Sequence, residues 1–160
     1  MPKAVKTNVT RLLQAQGVAH AIHTYDTGDG AIDGVSVARK VGADPARVFK
    51  TLVAVGHSGG HYVFVIPVAA TLDLKRAATA AKEKNMHMLP QKELLPLTGY
   101  IHGGCSPIGM KKPFPTFLDT TAETLDELYV SAGKVGVQVS LQVPALQRLT
   151  GAVFAPLTEE

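Results

Sequence analysis

A chain of 160 residues, 46% hydrophobic and only 18% charged, is long enough for one domain with a real core and too apolar for a disordered tail. Its 16 basic and 13 acidic residues leave a net charge of +3, too mild to establish nucleic-acid binding by charge alone. The single cysteine, Cys105, excludes an intrachain disulfide and a zinc site built from several cysteines.

The order of residues adds further limits. No apolar run reaches membrane-spanning length, and Lys6, Asn8 and Arg11 interrupt what would be the apolar core of a signal peptide. The expectation is one cytosolic domain over 1–160, away from membranes. Neither a repeat nor a low-complexity tract divides it.

Taken in chain order, Val5, Val9, Leu12 and Leu13 lie at helical spacing before Gly17, predicting a helix over 4–16. Residues 18–25 read as a strand that runs into the turn-rich 26–30. Val37, Ala38 and Val41 give a short helix, and Asp44-Pro45 starts another turn of helix. Residues 49–55 form a strong strand, 57–60 a tight turn and 61–67 its partner. A helix is predicted over 71–83, a short strand over 85–89 and a short helix over 90–96. After a glycine loop, 116–119 is a strand. Thr120 and Glu123 form a capping box for a helix reaching Leu128. Strands at 129–131 and 137–141 flank a second glycine loop; a helix at 144–149 and a strand at 153–155 close the chain. The predicted architecture is α/β in the α+β sense: a curled, mixed, largely antiparallel sheet or partial barrel with surrounding helices.

The richest segment is Gly103-Gly104-Cys105-Ser106-Pro107-Ile108-Gly109-Met110-Lys111-Lys112. Glycine and proline together rule out a regular helix or central strand there, so a shaped loop with bare backbone is expected. Ser131-Ala132-Gly133-Lys134-Val135-Gly136 repeats the same chemistry. Two such loops suggest a pocket for a ligand bearing phosphate or carbonyl. Gly103 and Gly104 are candidates to aim amides at an ester carbonyl or developing oxyanion, and Lys111, Lys112 and Lys134 to neutralise phosphate.

Lys50 interrupts an apolar strand, so its ammonium must reach water, a carboxylate or a ligand phosphate. Tyr25 ends the first strand beside the 28–30 turn, where its hydroxyl either caps core or meets a ribose or carbonyl. Six histidines show no paired metal-ligand spacing, and His102, just before the glycine loop, is the best placed to line a site. Ser106 precedes proline and lacks a hydrolase nucleophile's strand–turn–helix setting, so it reads as a hydrogen-bonding hydroxyl. Cys105 is either a buried thiol or a nucleophile activated by nearby lysines. No triad, triphosphate loop or dinucleotide fingerprint is present. The readings left open are an ester hydrolase, a non-catalytic binder of transfer RNA or a synthetase, and a hydrolase of a small nucleotide or acyl ester.

The order Phe49-Lys50-Thr51-Leu52, Thr98-Gly99-Tyr100-Ile101 with Gly103-Gly104 and Ser106-Pro107, Gly109 with Lys111-Lys112, and Ser131-x-Gly133-Lys134-x-Gly136 resembles the YbaK family. These are free-standing editing domains that hydrolyse mischarged transfer RNA, related to the editing domain of prolyl-tRNA synthetase. The branch most similar is the Cys-tRNA(Pro) deacylases. The resemblance implies a cytosolic, metal-free and cofactor-free deacylase that acts on the aminoacylated 3′ end of tRNA, as a monomer or homodimer, with prolyl-tRNA synthetase as a conceivable partner. It implies attack by the substrate's own thiol, with no catalytic side chain required. It matches Lys50 to the family lysine at the RNA terminus, Tyr25 to the tyrosine after the first strand, Gly34 to a pocket-rim glycine, and Gly103 and Gly104 to the backbone wall near the ester. The chain departs from the family pattern at Asp33, which replaces an aromatic residue, and at Gln138, which replaces an acidic or small polar one. Cys105, Met110, Ala132 and Val135 also depart from it.

Overall fold

A computed structural model describes residues 6–159. In chain order the elements are α1 (Asn8–Ala15), β1 (His20–Thr24), α2 (Gly34–Lys40), β2 (Phe49–Gly56), β3 (His61–Pro67), α3 (Leu74–Ala81), β4 (Met86–Met88), α4 (Gln91–Thr98), β5 (Thr116–Asp119), β6 (Glu127–Lys134), β7 (Val137–Gln142), α5 (Val143–Thr150) and β8 (Val153–Ala155). Short 3-10 turns cover Pro45–Arg47 and Thr120–Thr124.

The strongest apolar run, β2, sits inside a five-stranded sheet ordered β4-β2-β3-β5-β8. Its tight turn makes β2 and β3 antiparallel, from Phe49 opposite Pro67 to Val55 opposite His61. β5 and β8 join in parallel, each after a long crossover. Period-two alternation gives this sheet two apolar faces. Val53, Val63, Val65 and Leu118 enter the main core with Val9, Leu13 and Leu146, whereas Ala54, Phe64 and Ile66 face Ala77 and Ala78 of α3.

A second, three-stranded sheet is antiparallel throughout and ordered β1-β7-β6. The mixed α/β class and mainly antiparallel pairing are as expected. The strands of this mixed, helix-surrounded architecture divide into two sheets, neither of them closed. They touch where Val48, just before β2, bridges Tyr129 of β6 in parallel.

Helix boundaries follow local chemistry. Thr7 and Thr10 cap α1 reciprocally, so the helix starts at Asn8; the expected positions 4 and 5 lie outside the described residues. Asp33 caps α2 and Asp73 caps α3 by accepting backbone N–H groups, which shortens the helix expected over 71–83. The helix expected from Thr120 to Leu128 is replaced by the 3-10 turn and the start of β6. Asp119 is the true cap. It accepts from the Thr121 amide and hydroxyl and, across the fold, from the Leu157 amide. Burial of Leu128 and Val130 against β7 then favours extension over another helical turn.

The second glycine loop is a bulged hairpin between β6 and β7. The register shifts between Ser131 and Lys134, and Gly133 adopts φ 90. A Cβ at Gly133 would stand 2.8 Å from the Tyr100 ring. Gly133→Ala is therefore expected to lose about 1–3 kcal/mol, lowering the melting midpoint by several degrees in a thermal scan. Gly151 shares a positive φ of 71 but has open space around it, so Gly151→Ala should cost less.

A candidate active-site pocket at the seam of the sheets

A cavity of about 170 Å³ opens where the start of β2 meets β6 and β7, under the N-terminus of α2. One water needs roughly 10–15 Å³ by this measure, so there is room for a small acyl group. The wall brings together four residues singled out from sequence: Tyr25, Gly34, Lys50 and Gly103. Each is held by local structure. The Tyr25 amide donates to the Gly136 carbonyl at 3.0 Å, fastening the end of β1 to the hairpin tip. Gly34 opens α2 against β3's exit: a Cβ there would lie 2.4 Å from the Val68 Cβ. Lys50 is the second residue of β2, opposite Ile66.

Lys50 is half-buried, and among the described residues no carboxylate or carbonyl accepts a hydrogen bond from it. Desolvation pushes its ammonium below the ordinary lysine value. Such a cation gains from an anion brought by a ligand, because the carboxylate on its wall, Asp33, accepts from the Ser36 amide and hydroxyl and makes no ion pair with it.

The first glycine loop meets the second beside this wall. A Cβ at Gly104 would lie 3.1 Å from the Val135 amide nitrogen, and one at Gly103 would lie 3.5 Å from Val135 Cγ2 and Ile32 Cδ1. The two glycines differ chemically. The Gly104 amide donates to the Ile101 carbonyl at 3.0 Å and is committed to its own turn. The Gly103 amide has no such bond, and Gly103 lines the cavity.

Of the other predicted site residues, Gly104, Ser106, Lys111, Lys112 and Lys134 are not on the pocket wall. Ser106 is fully buried, and its hydroxyl accepts from the Ile108 amide, which shapes the loop. Lys111 lays its stem against Gly99, and Lys111, Lys112 and Lys134 are exposed. His102 and Cys105 do line the cavity. Burial pushes the Cys105 thiol up to about 12, and it is 8% exposed, so it is a poor thiolate nucleophile.

Two wall residues escaped sequence reasoning as site members. Thr51 Oγ1 and Gln138 Oε1 are buried and have no hydrogen-bond partner. The available signal was a polar side chain in the apolar run Val137–Leu141, and Gln138 registered only as a departure from a family pattern. Lys40 also went unnoticed. Its ammonium donates to the Asp26 carbonyl at 2.6 Å, the Ala31 carbonyl at 3.0 Å and Asp29 Oδ1 at 2.7 Å, closing the 26–31 loop that leads into the rim. The hydrogen bond from Lys40 holds the Asp29 carboxyl below its usual range. Among the described residues, no cluster of three or more histidine, cysteine or acidic side chains could hold a metal ion, and no helix is long and apolar enough to cross a membrane.

Residues 32–149 match the family described as the aminoacyl-tRNA editing domain. An Enterococcus faecalis protein, EbsC, named as a Cys-tRNA(Pro)/Cys-tRNA(Cys) deacylase, is 43% identical over 153 residues, covering 96% of this chain and 93% of that protein. A solved structure described as a trans-editing enzyme for prolyl-tRNA synthetase superposes with a TM-score of 0.83 at 26% identity, covering 98% of this chain and all of that one. A scaffold protein used for computational grafting of linear epitopes superposes at 0.85 with 27% identity, covering 96% of each chain. The pocket's Lys50 strand and both glycine loops fall inside the matched region, and the chain belongs to the aminoacyl-tRNA editing domain family, the YbaK type its motifs resemble.

Proposed function

We propose that this chain is an aminoacyl-tRNA deacylase that edits in trans, with Cys-tRNA(Pro) as its foremost substrate. The observation that carries this reading is the half-buried Lys50 ammonium, without an anionic partner, on the wall of a cavity sized for a small acyl group. The name of the Enterococcus faecalis relative supports the ester and the acyl group. In this reading Lys50 meets a phosphate of the RNA terminus, Tyr25 and Gly34 form the rim, and the free Gly103 amide faces the ester carbonyl. Gly104 acts by holding Gly103 in place. Lys111, Lys112 and Lys134 contact the RNA outside the pocket. The protein works in the cytoplasm on the aminoacylated 3′ end, with prolyl-tRNA synthetase as the protein partner to examine.

The wall offers no activated nucleophile, because the Cys105 thiol is buried and held protonated. In this reading attack falls to the substrate, as the resemblance to the family implies. The cysteinyl sulfur bonds to its own carbonyl carbon, the bond from that carbon to the ribose oxygen breaks, and the thiol proton ends on the ribose oxygen. Water opens the cyclic thioester afterwards. The protein supplies position and a backbone donor to the carbonyl oxygen, and such a donor is typically worth about a hundredfold to a thousandfold in rate.

Lys50→Ala should reduce deacylation of Cys-tRNA(Pro) to near background while the melting midpoint barely moves, since a half-exposed lysine adds little stability. Normal turnover by that variant would overturn the assignment. A wild-type protein that binds charged RNA but releases no amino acid from Cys-, Ala- or Ser-charged tRNA would instead be a non-catalytic binder.

Cys105→Ala should keep turnover within severalfold of wild type, and iodoacetamide at pH 8 should leave native Cys105 unmodified as judged by mass spectrometry. Loss of turnover in a folded Cys105→Ala protein would point to a protein nucleophile. Lys40→Met, which removes three hydrogen bonds from the rim loop, should raise KM more than it lowers kcat and speed proteolysis within 26–31.

A further inference from the structure

Among the described residues, two buried side-chain polar atoms have no partner, Thr51 Oγ1 and Gln138 Oε1, and both belong to the wall of the same cavity. Buried polar groups are nearly always paired, because an orphan loses its bond to water and gains nothing in return. Two orphans in one wall mark a place where a ligand completes the bonding.

The neighbouring side chains make no hydrogen bond to either atom. Gln138 is 6% exposed and sits in β7, the central strand of its sheet, directly between Ser131 of β6 and His23 of β1. The Ser131 hydroxyl accepts from the Gly133 amide, and His23 Nε2 is bonded to the Ser140 hydroxyl. Thr51 lies on β2 next to Lys50, opposite Val65, which offers no polar side chain.

An amide oxygen only accepts, so its partner must donate. A phosphate or carboxylate is thereby excluded at this point of the wall. Within a small aminoacyl group the available donors are the α-amine and, for cysteine, the thiol. The thiol is a weak donor, and the deacylation reading leaves it free to attack. We infer that Gln138 Oε1 accepts a hydrogen bond from the α-amino group of the bound aminoacyl moiety, with Thr51 Oγ1 completing that contact. The pair would make the pocket selective for acyl groups that carry a free amine. This inference rests on the deacylase reading for the nature of the ligand, not for the contact itself.

Binding of stable amides of 3′-aminoadenosine separates the two ideas. The cysteinyl amide carries amine and thiol, the 3-mercaptopropionyl amide only the thiol, and the alanyl amide only the amine. Wild-type protein should bind the cysteinyl and alanyl compounds at least about tenfold more tightly than the 3-mercaptopropionyl one, because a site built for a hydrogen bond rejects a ligand that lacks it. Gln138→Leu should bring the cysteinyl to 3-mercaptopropionyl ratio close to one by weakening only the amine-bearing ligand, and Gln138→Glu should restore the preference. Should Gln138→Leu fail to fold, Thr51→Val provides the same ratio with an isosteric change on the other strand. Equal binding by the wild type, or a ratio that Gln138→Leu leaves intact, overturns the inference. Preference for the thiol-bearing pair over the alanyl compound would assign the contact to sulfur and overturn it as well. Ester hydrolysis measured in parallel judges the deacylase reading alone: an amine preference without turnover on any charged tRNA would sink that reading and leave the contact standing.

Discussion

The site depends on one contact, the parallel bridge between Val48 and Tyr129 that brings the two sheets edge to edge. A mixed five-stranded sheet and an antiparallel three-stranded one have no reason of their own to leave a cavity between them. Val48 closes a small apolar cluster with Ala38 and Val68, which docks α2 over the seam. Beyond that plug the strands diverge, and the gap is lined by Lys50 and Thr51 on one side and Ser131 and Gln138 on the other. The geometry of the backbone, not a single reactive group, creates the pocket. The 2.4 Å approach that a Cβ at Gly34 would make to Val68 shows how tightly the lid of this seam is drawn.

The glycine-rich segment is rigid for a reason its composition hides. Tyr100 is buried beneath it, donates its hydroxyl proton to the Ile108 carbonyl and accepts from the Asn8 amide group, which also donates to the Gly109 carbonyl at 2.9 Å. Burial raises the Tyr100 phenol above its usual value, which keeps it a donor. The loop is thus pinned to α1 and to the Gly133 bulge through one aromatic ring. In the loop so held, Gly103 lines the cavity and its amide makes no backbone hydrogen bond, while the Gly104 amide is consumed by its turn. The oxyanion role that sequence offers to two amides is geometrically open to one.

Much of this was legible in the residues because local rules were strong. The β2–β3 hairpin, the short strand at 86–88 and the glycine-terminated helices follow from alternation, turn residues and caps. Thr120 misled because the cap is supplied one residue earlier. Asp119 holds the cap and also receives the distant Leu157 amide, and only the tertiary fold reveals that second bond. The division into two sheets was equally hidden, since strand alternation says which faces are apolar and not which strands share an edge. Among site candidates, Lys50 stood out as a cation costly to bury, Gly103 by its glycine-rich loop, Tyr25 by its place at a strand end, and Gly34 only through the family resemblance. The exposed Lys111, Lys112 and Lys134 stood out by charge alone, and charge does not say which cavity it borders. Thr51 appeared in sequence only inside a family motif and Gln138 only as a departure from one, because being orphaned is a property of surroundings.

These features together explain why a pocket with no evident nucleophile can still be a site of chemistry. Its wall combines a partly desolvated cation, one unspent backbone amide and two unpaired side-chain oxygens. Every one of these is unfavourable in the empty pocket, and each would be relieved by a ligand presenting phosphate, carbonyl and amine in a fixed order. The surrounding core is large and apolar enough to tolerate that local deficit. A pocket so arranged gains most from a ligand that satisfies all the groups at once, so selectivity arises from the simultaneous match more than from any single contact. Position then becomes the main catalytic resource, which suits a substrate that carries its own attacking sulfur.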